Sequence, residues 1–511
     1  MSSTRFRLAG ATFTLMLVAV AGCTTGEGVD VDGADGANAG GVLNAAIGGE
    51  PDQLDPHKTS AYYSFQVLEN VYDTLVEPDA NLEMQPALAT GWTTSDDQLT
   101  WTFTLREGVK FSDGSPLTAE DVVYSYTRII DEKLNTAYKF GTVKSVTAPD
   151  PTTVVVALTA PTPNLLANLG GFKGVAIVQK ANVESGEVTT KPVGSGPFAI
   201  GSYTSGDSIR LVRNDHYWGE KPKVDGVHFT FVSDPTVALQ NLRGGEVHWT
   251  DNLPPQQVPA LLDADELTVR SVPSTDYWYL ALNQARKPYD NVAVRRAIAF
   301  ALDREAITKA AKFGLATVNQ TAIPQNSAYH YEYAPYTHDV NQARQLLDQA
   351  GVSGLTLDLM VTSEYPETVT AAQVIASQLA EVGVTVKIRT LDFAQWLDEQ
   401  GNGNFDAFML GWLGNIDPDE FYYAQHHSGG TFNFHKYANP TVDRLLDQAR
   451  TETDQGARKQ RYEQVAKQIV DDASYIYLYN PDVAQGWSSG LTGYEVRTDR
   501  AIRFRDAALA K

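Results

Sequence analysis

A single cysteine, Cys23, stands in a chain of 511 residues. No intrachain disulfide is available, nor a multi-cysteine zinc or iron–sulfur site. The fold must therefore be held by apolar burial. At roughly 100–200 residues per domain, the length allows two to four domains or lobes with a large core. Apolar residues make up 43 % and charged residues 20 %, a globular balance that excludes wholesale disorder. The 62 acids and 40 bases leave a net charge of −22, which argues against non-specific nucleic-acid binding, because neutralising phosphates needs a basic surface.

Arg5 and Arg7 precede an apolar run, Leu8 to Val20, interrupted by small residues. The run is shorter than the ~20 residues that span a bilayer, so it reads as a secretory signal and not as a stable anchor. It ends in Val20-Ala21-Gly22-Cys23, which resembles a bacterial lipobox with the lone cysteine at the lipidated position. Residues 1–22 are then a lipoprotein signal peptide, and Cys23 becomes the lipid-bearing N-terminus. The Gly/Ala/Asp-rich stretch that follows, to residue 41, has too few apolar groups to offset chain ordering. Residues 23–41 are expected to be a lipidated flexible tether. Burial of the lipid chains places the protein at the extracytoplasmic face of the cell membrane.

The remaining chain alternates strand and helix patterns. Leu99 to Leu105 alternates apolar and polar residues, a half-buried strand. Lys144 to Leu158 carries two apolar runs around Ala148-Pro149-Asp150-Pro151, a hairpin signature. Thr118 to Asp121 reads as a capping box leading into a helix. Val294, Ala297, Ile298, Ala301 and Leu302 fall on one helix face, with Asp290 or Asn291 as cap. Asn439-Pro440 opens another amphipathic helix, and Gln373 to Val382 forms one that ends at Gly383 before a strand over Val384 to Ile388. Strands and helices mixed throughout give an α/β class.

Ordered blocks then carry a resemblance. Leu54-Asp-Pro-His57 and Asn70 to Val76 come first, followed by the dense stretch Trp101 to Tyr126. Val193 to Phe198, Arg213 to Gly219, Leu280 to Asn283 and Val294 to Asp303 follow in order. Gly411-Trp412 with Asp417-Pro418, and Tyr475 to Tyr479, complete the series. Together they resemble the family 5 extracellular solute-binding proteins of bacterial ABC importers, the peptide- and nickel-binding group. The resemblance implies a periplasmic-binding-protein-like α/β fold of class II, cluster C type. It implies a discontinuous lobe I (42–71, 191–275 and 481–511), an inserted extra domain (72–190) and lobe II (276–480). The hinge falls near Val272–Asn283 and Tyr475–Val483, which are apolar and aromatic enough to be buried strands. It further implies a monomeric receptor that captures a solute, most readily a peptide, and delivers it to ABC permease subunits. The same role for an oligosaccharide, a nickel complex or another small solute is the alternative.

No catalytic constellation is present to compete with this reading. His-Glu-x-x-His is missing, Gly194-Ser195-Gly196-Pro197 lacks the spacing of a nucleophile elbow, and no Gly-Lys pair marks a phosphate loop. The cysteine is committed to lipid. The chain is expected to be no enzyme and to need no cofactor. His426, His427 and His435 form the one histidine cluster, and a metal site there needs further ligands in fixed geometry, so a surface or packing role is favoured.

Ligand-binding candidates are Ser60 and Tyr62 from lobe I, Tyr138 from the insertion, and Gly411, Trp412, Leu413, Asn415 and Asp417 from lobe II. The first three follow from the resemblance alone. In the second group, small residues let backbone approach a ligand closely and the indole supplies an apolar face. In peptide-binding relatives an aspartate three residues after the tryptophan binds the ligand ammonium. Here that position is Asn415, which supplies no charge. Asp417 either substitutes for it or is a turn residue before Pro418. The arginine that holds a dipeptide carboxylate in that branch is missing from Thr362 to Glu367, which weakens a short-peptide reading.

Overall fold

The computed structural model describes residues 40–510. The signal peptide, Cys23 and all but the end of the tether lie outside the described residues. No described helix is long and apolar enough to cross a membrane.

One 12-stranded mixed sheet runs through the molecule. On one side Val42–Ile47 pairs in parallel with Gly226–Phe231 and Trp249–Thr250, and Ser208–Arg213 and Phe198–Thr204 continue antiparallel. On the other side Thr356–Thr362 pairs in parallel with Thr385–Leu391 and Ala407–Trp412, which in turn pairs antiparallel with Tyr277–Leu282. The 14-residue strand Tyr475–Ser488 joins the two sides. Its first half pairs with Tyr277–Leu282 and its second with Leu267–Pro273 and Trp249–Thr250. This strand is almost wholly buried, so its apolar and aromatic run fits a strand covered on both faces.

A separate antiparallel sheet takes the order Ala89–Thr94, Thr100–Leu105, Thr153–Leu158, Val143–Asp150. The alternation at Leu99–Leu105 and the hairpin at Lys144–Leu158 are its middle and edge. Helix Ala119–Asp131 lays Val122, Tyr126 and Ile129 over it, and its start is tied by the Thr118 amide donating to Asp121 Oδ2 at 2.9 Å. Asn291 caps Val292–Ala301, accepting from the Ala293 amide at 2.9 Å, and Asn439 caps Pro440–Thr451. The helix expected from Gln373 instead begins at Pro366. Proline is tolerated in a first helical turn, and Glu367–Thr370, with Val369 its lone apolar residue, hid the added turns from an apolar-periodicity reading.

Buried apolar residues fall into distinct clusters. One lies wholly within Tyr277–Tyr479 and another within Leu75–Ile177. A third gathers Leu43–Tyr72, Phe198–Trp249 and Trp487–Ala507, with Phe172, Ala176 and Val178. A fourth, smaller one gathers Ala238, Leu239 and Leu242 with Leu253, Val258, Leu261, Leu267 and Val269.

Candidate functional site

The strand Ala407–Trp412 ends at a turn that leads into helix Pro418–His426. Trp278 stands opposite Gly411 in the sheet, and its indole lies 2.8 Å from where a Gly411 Cβ would be. Gly414, at φ +62°, donates its amide to Asp276 Oδ1 at 2.6 Å, and Arg500 pairs with the same carboxylate. A Gly414 Cβ would lie 2.6 Å from Lys173 Nζ and collide with the Asp499 carbonyl. The small residues expected to admit a ligand are thus small because the protein itself fills that space.

The helix start is doubly capped. Asp417 accepts from the Asp419 amide at 3.0 Å, and Glu420 Oε2 accepts from the Ile416 amide at 2.7 Å. Glu420 Oε1 takes Lys139 Nζ at 2.6 Å. Burial pushes the Glu420 carboxyl up, but Lys139 and the backbone amides outweigh it and hold the group below its usual range.

These elements face an open cleft of about 1140 Å³, space open to solvent included. Ser60, Tyr62, Tyr138, Gly411, Trp412, Leu413 and Asn415 all line it. Tyr62 has already spent its hydroxyl on Asp251 at 3.2 Å, and the Tyr138 ring sits edge-on to Phe432 at 6.3 Å. Asp417 stands outside the lining. Arg458 grips it through two guanidinium nitrogens at 2.6 and 2.9 Å, and it serves as helix cap. Between the two readings left open for Asp417, this geometry matches the structural one.

Sequence reasoning missed much of the wall. Trp278, Tyr365 and Phe393 form one aromatic side, with ring centroids 5.7 and 5.6 Å apart through Tyr365. Phe432 packs on Trp412 at 4.8 Å, and Lys139, Lys173 and Gln425 supply polar groups. Nothing local distinguishes these residues from core aromatics and surface lysines. Only the loop Gly171–Gly174, small residues flanking Phe172-Lys173, hints at a close approach.

The histidines separate. His426 is fully buried, with Nδ1 3.0 Å from Ser474 Oγ and Nε2 3.0 Å from the Tyr477 hydroxyl. His435 Nε2 lies 2.9 Å from the same Ser474 oxygen. Burial pushes His426 down to about 3, so it is neutral at any ordinary pH. His427 lies apart, stacked on Tyr423 at 4.7 Å. Among the described residues no group of three or more His, Cys, Asp or Glu is placed to hold a metal ion.

Comparison with known proteins gives this architecture a family. The model for bacterial extracellular solute-binding proteins, family 5, matches residues 83–433, more than half of the chain. The chain belongs to that family. This family 5 protein is 29 % identical over 462 residues to the probable D,D-dipeptide-binding periplasmic protein DdpA of Escherichia coli, covering 87 % of this chain and 89 % of that one. It is 29 % identical over 482 residues to the glutathione-binding protein GsiB of the same species, covering 91 % and 94 %. Among solved structures, the periplasmic binding protein DppA of Helicobacter pylori in complex with peptide STSA superposes at a TM-score of 0.87, with 28 % identity over 93 % of this chain and 99 % of that one. The fold is the α/β periplasmic-binding-protein type of class II, cluster C, and the family is one of solute-binding receptors, not enzymes.

Proposed function

We propose that this protein is the extracytoplasmic receptor of an ABC importer, held to the membrane by lipid on Cys23, that captures a peptide and delivers it to the permease. The carrying observation is an open cleft of about 1140 Å³, space open to solvent included, walled by segments hundreds of residues apart. One pair of lining residues is latched together, and contacts beside the lining tie the same segments to one another. Lys139 pairs with Glu420, Arg450 Nη2 donates to the Tyr138 carbonyl at 2.5 Å, and Tyr63 donates to the Glu364 carbonyl at 3.2 Å.

In this reading lobe I is 42–71, 191–275 and 481–511, the extra domain is 72–190, and lobe II is 276–480. The separate apolar clusters support that division. The paired strands Leu267–Pro273, Tyr277–Leu282 and Tyr475–Ser488 are the connection about which the lobes close. A solute touching both lobes shifts the population toward the closed state by its differential affinity. Moving an equilibrium from mostly open to mostly closed takes about 5 kcal/mol of such difference. No cofactor enters, and a monomer suffices.

The test is native mass spectrometry of the full-length protein extracted in detergent from its own host. A ladder of peptide masses in the released solute supports the reading. A single non-peptide mass, or a nickel adduct, replaces the peptide with another solute and leaves the receptor role intact.

A further inference from the structure

We propose that the group anchored at the Trp412–Ile416 turn is a carboxylate of the solute, received by Lys173 Nζ and Asn415 Nδ2. The inference rests on the receptor reading but not on the solute being a peptide.

Besides the indole N–H groups of Trp278 and Trp412, an amide and a cation in the wall have nothing to bond among the described residues. Asn415 is 8 % exposed, and among the described residues its Nδ2 has no hydrogen-bond partner. Lys173 lines the same cavity, and among the described residues its Nζ makes no hydrogen bond or ion pair. The ammonium packs against Gly414, 2.6 Å from where a Cβ there would be, and so beside the residue that carries the free amide. Unmet buried donors cost free energy unless a ligand meets them, and a carboxylate meets a cation and an amide together.

The carboxylates are taken, and Gln425 Oε1, an acceptor without a partner among the described residues, carries no charge. Among the described residues Glu420 is the one carboxylate in the lining, and it holds Lys139 and the Ile416 amide. Asp276 is bound by Arg500 and the Gly414 amide, Asp417 by Arg458, and Asp419 by Arg450. The charged lining is thus two lysines and one glutamate, in a chain of net charge −22. An ammonium brought here finds cations and no open acceptor of opposite charge. Glu69 also lies near Lys173, behind the cavity, but burial raises its carboxyl to about 7, so it is a half-charged counterion near neutrality. The Trp278, Tyr365 and Phe393 wall takes the uncharged remainder of the solute.

Titration calorimetry on the full-length protein in detergent tests this with a tripeptide pool in two forms. One is N-acetylated with a free carboxylate; the other has a free amine and a C-terminal amide. The acid form should bind about 10- to 100-fold tighter, the range for a charge-assisted hydrogen bond. Lys173→Met should erase that preference by weakening the acid form alone, Lys173→Arg should restore it, and Asn415→Asp should weaken the acid form. Equal or tighter binding of the free-amine form, a preference that survives Lys173→Met, or a gain for the free amine in Asn415→Asp overturns the assignment. If neither pool binds, the solute released from the protein is methyl-esterified and titrated back. Loss of binding on esterification upholds the carboxylate anchor while refuting the peptide. Undiminished binding of the ester refutes the anchor, and a protein that takes neither pool and yields no carboxylate-bearing solute refutes both.

Discussion

Gly414→Ala separates local strain from lobe closure. Gly414 lies at φ +62°, where an alanine is strained by roughly 1–2 kcal/mol whatever surrounds it. That cost belongs to the backbone and is present in open and closed states alike. The new methyl also meets the Asp499 carbonyl and Lys173 Nζ, the latter at 2.6 Å. Gly414 belongs to the proposed lobe II, whereas Asp499 and Lys173 belong to lobe I and the extra domain. Under the proposed lobe division that collision lies between lobes and is relieved when they part. Backbone cannot swing aside as a flexible side chain does, so the penalty is that of overpacking, about 1–3 kcal/mol. Binding of the solute released from the wild-type protein should weaken about 5- to 150-fold. Gly383→Ala is the control, because Gly383 lies at φ +79° with nothing within 4 Å of its would-be Cβ. It should lower the melting temperature of the solute-free protein as much as Gly414→Ala does, yet leave affinity unchanged. Calorimetry and thermal melts read the two quantities. Gly414→Ala binding within about twofold of wild type would refute a closing contact at this turn, since even the low end of the overpacking range exceeds that.

Asp417→Asn should cost stability and not binding, because the carboxylate lost is the one gripped by Arg458 at 2.6 Å. Breaking a buried pair costs about 3–5 kcal/mol, read by urea unfolding, and a large loss of affinity at unchanged stability would contradict the structural role. His426 falls from 6.5 to about 3 on burial, so its contribution is complete above pH 6.5 and drains away as pH falls toward 3. By pH 5 the loss from this one group is about 2 kcal/mol, and His426→Gln should flatten that part of the stability–pH curve; an unchanged slope between pH 6.5 and 5 counts against it.

Much of the fold was legible because its signals are local. Thr100–Leu105 alternates because one face is buried, and Asn291 and Asn439 cap helices through contacts within two residues. The turn at Trp412–Asn415 was legible as a candidate wall from ordered motifs along the chain. Asp417 was ambiguous because a carboxylate before a proline caps a helix or meets a ligand equally well. Arg458, which engages that carboxylate, is 41 residues away.

Local pattern and composition determined that this is an α/β body without disulfides. The ordered motifs determined its family, and the N-terminal signal determined the expectation of life outside the cytoplasm. Tertiary structure alone decided which charges are free. Glu420 and Lys139 neutralise one another across 281 residues of sequence, and Asp276 and Arg500 across 224. Lys173 and the Asn415 amide are left over only after those pairings are made. Whether a charge is spent depends on distance and burial, and neither is a property of the neighbouring residues in the chain.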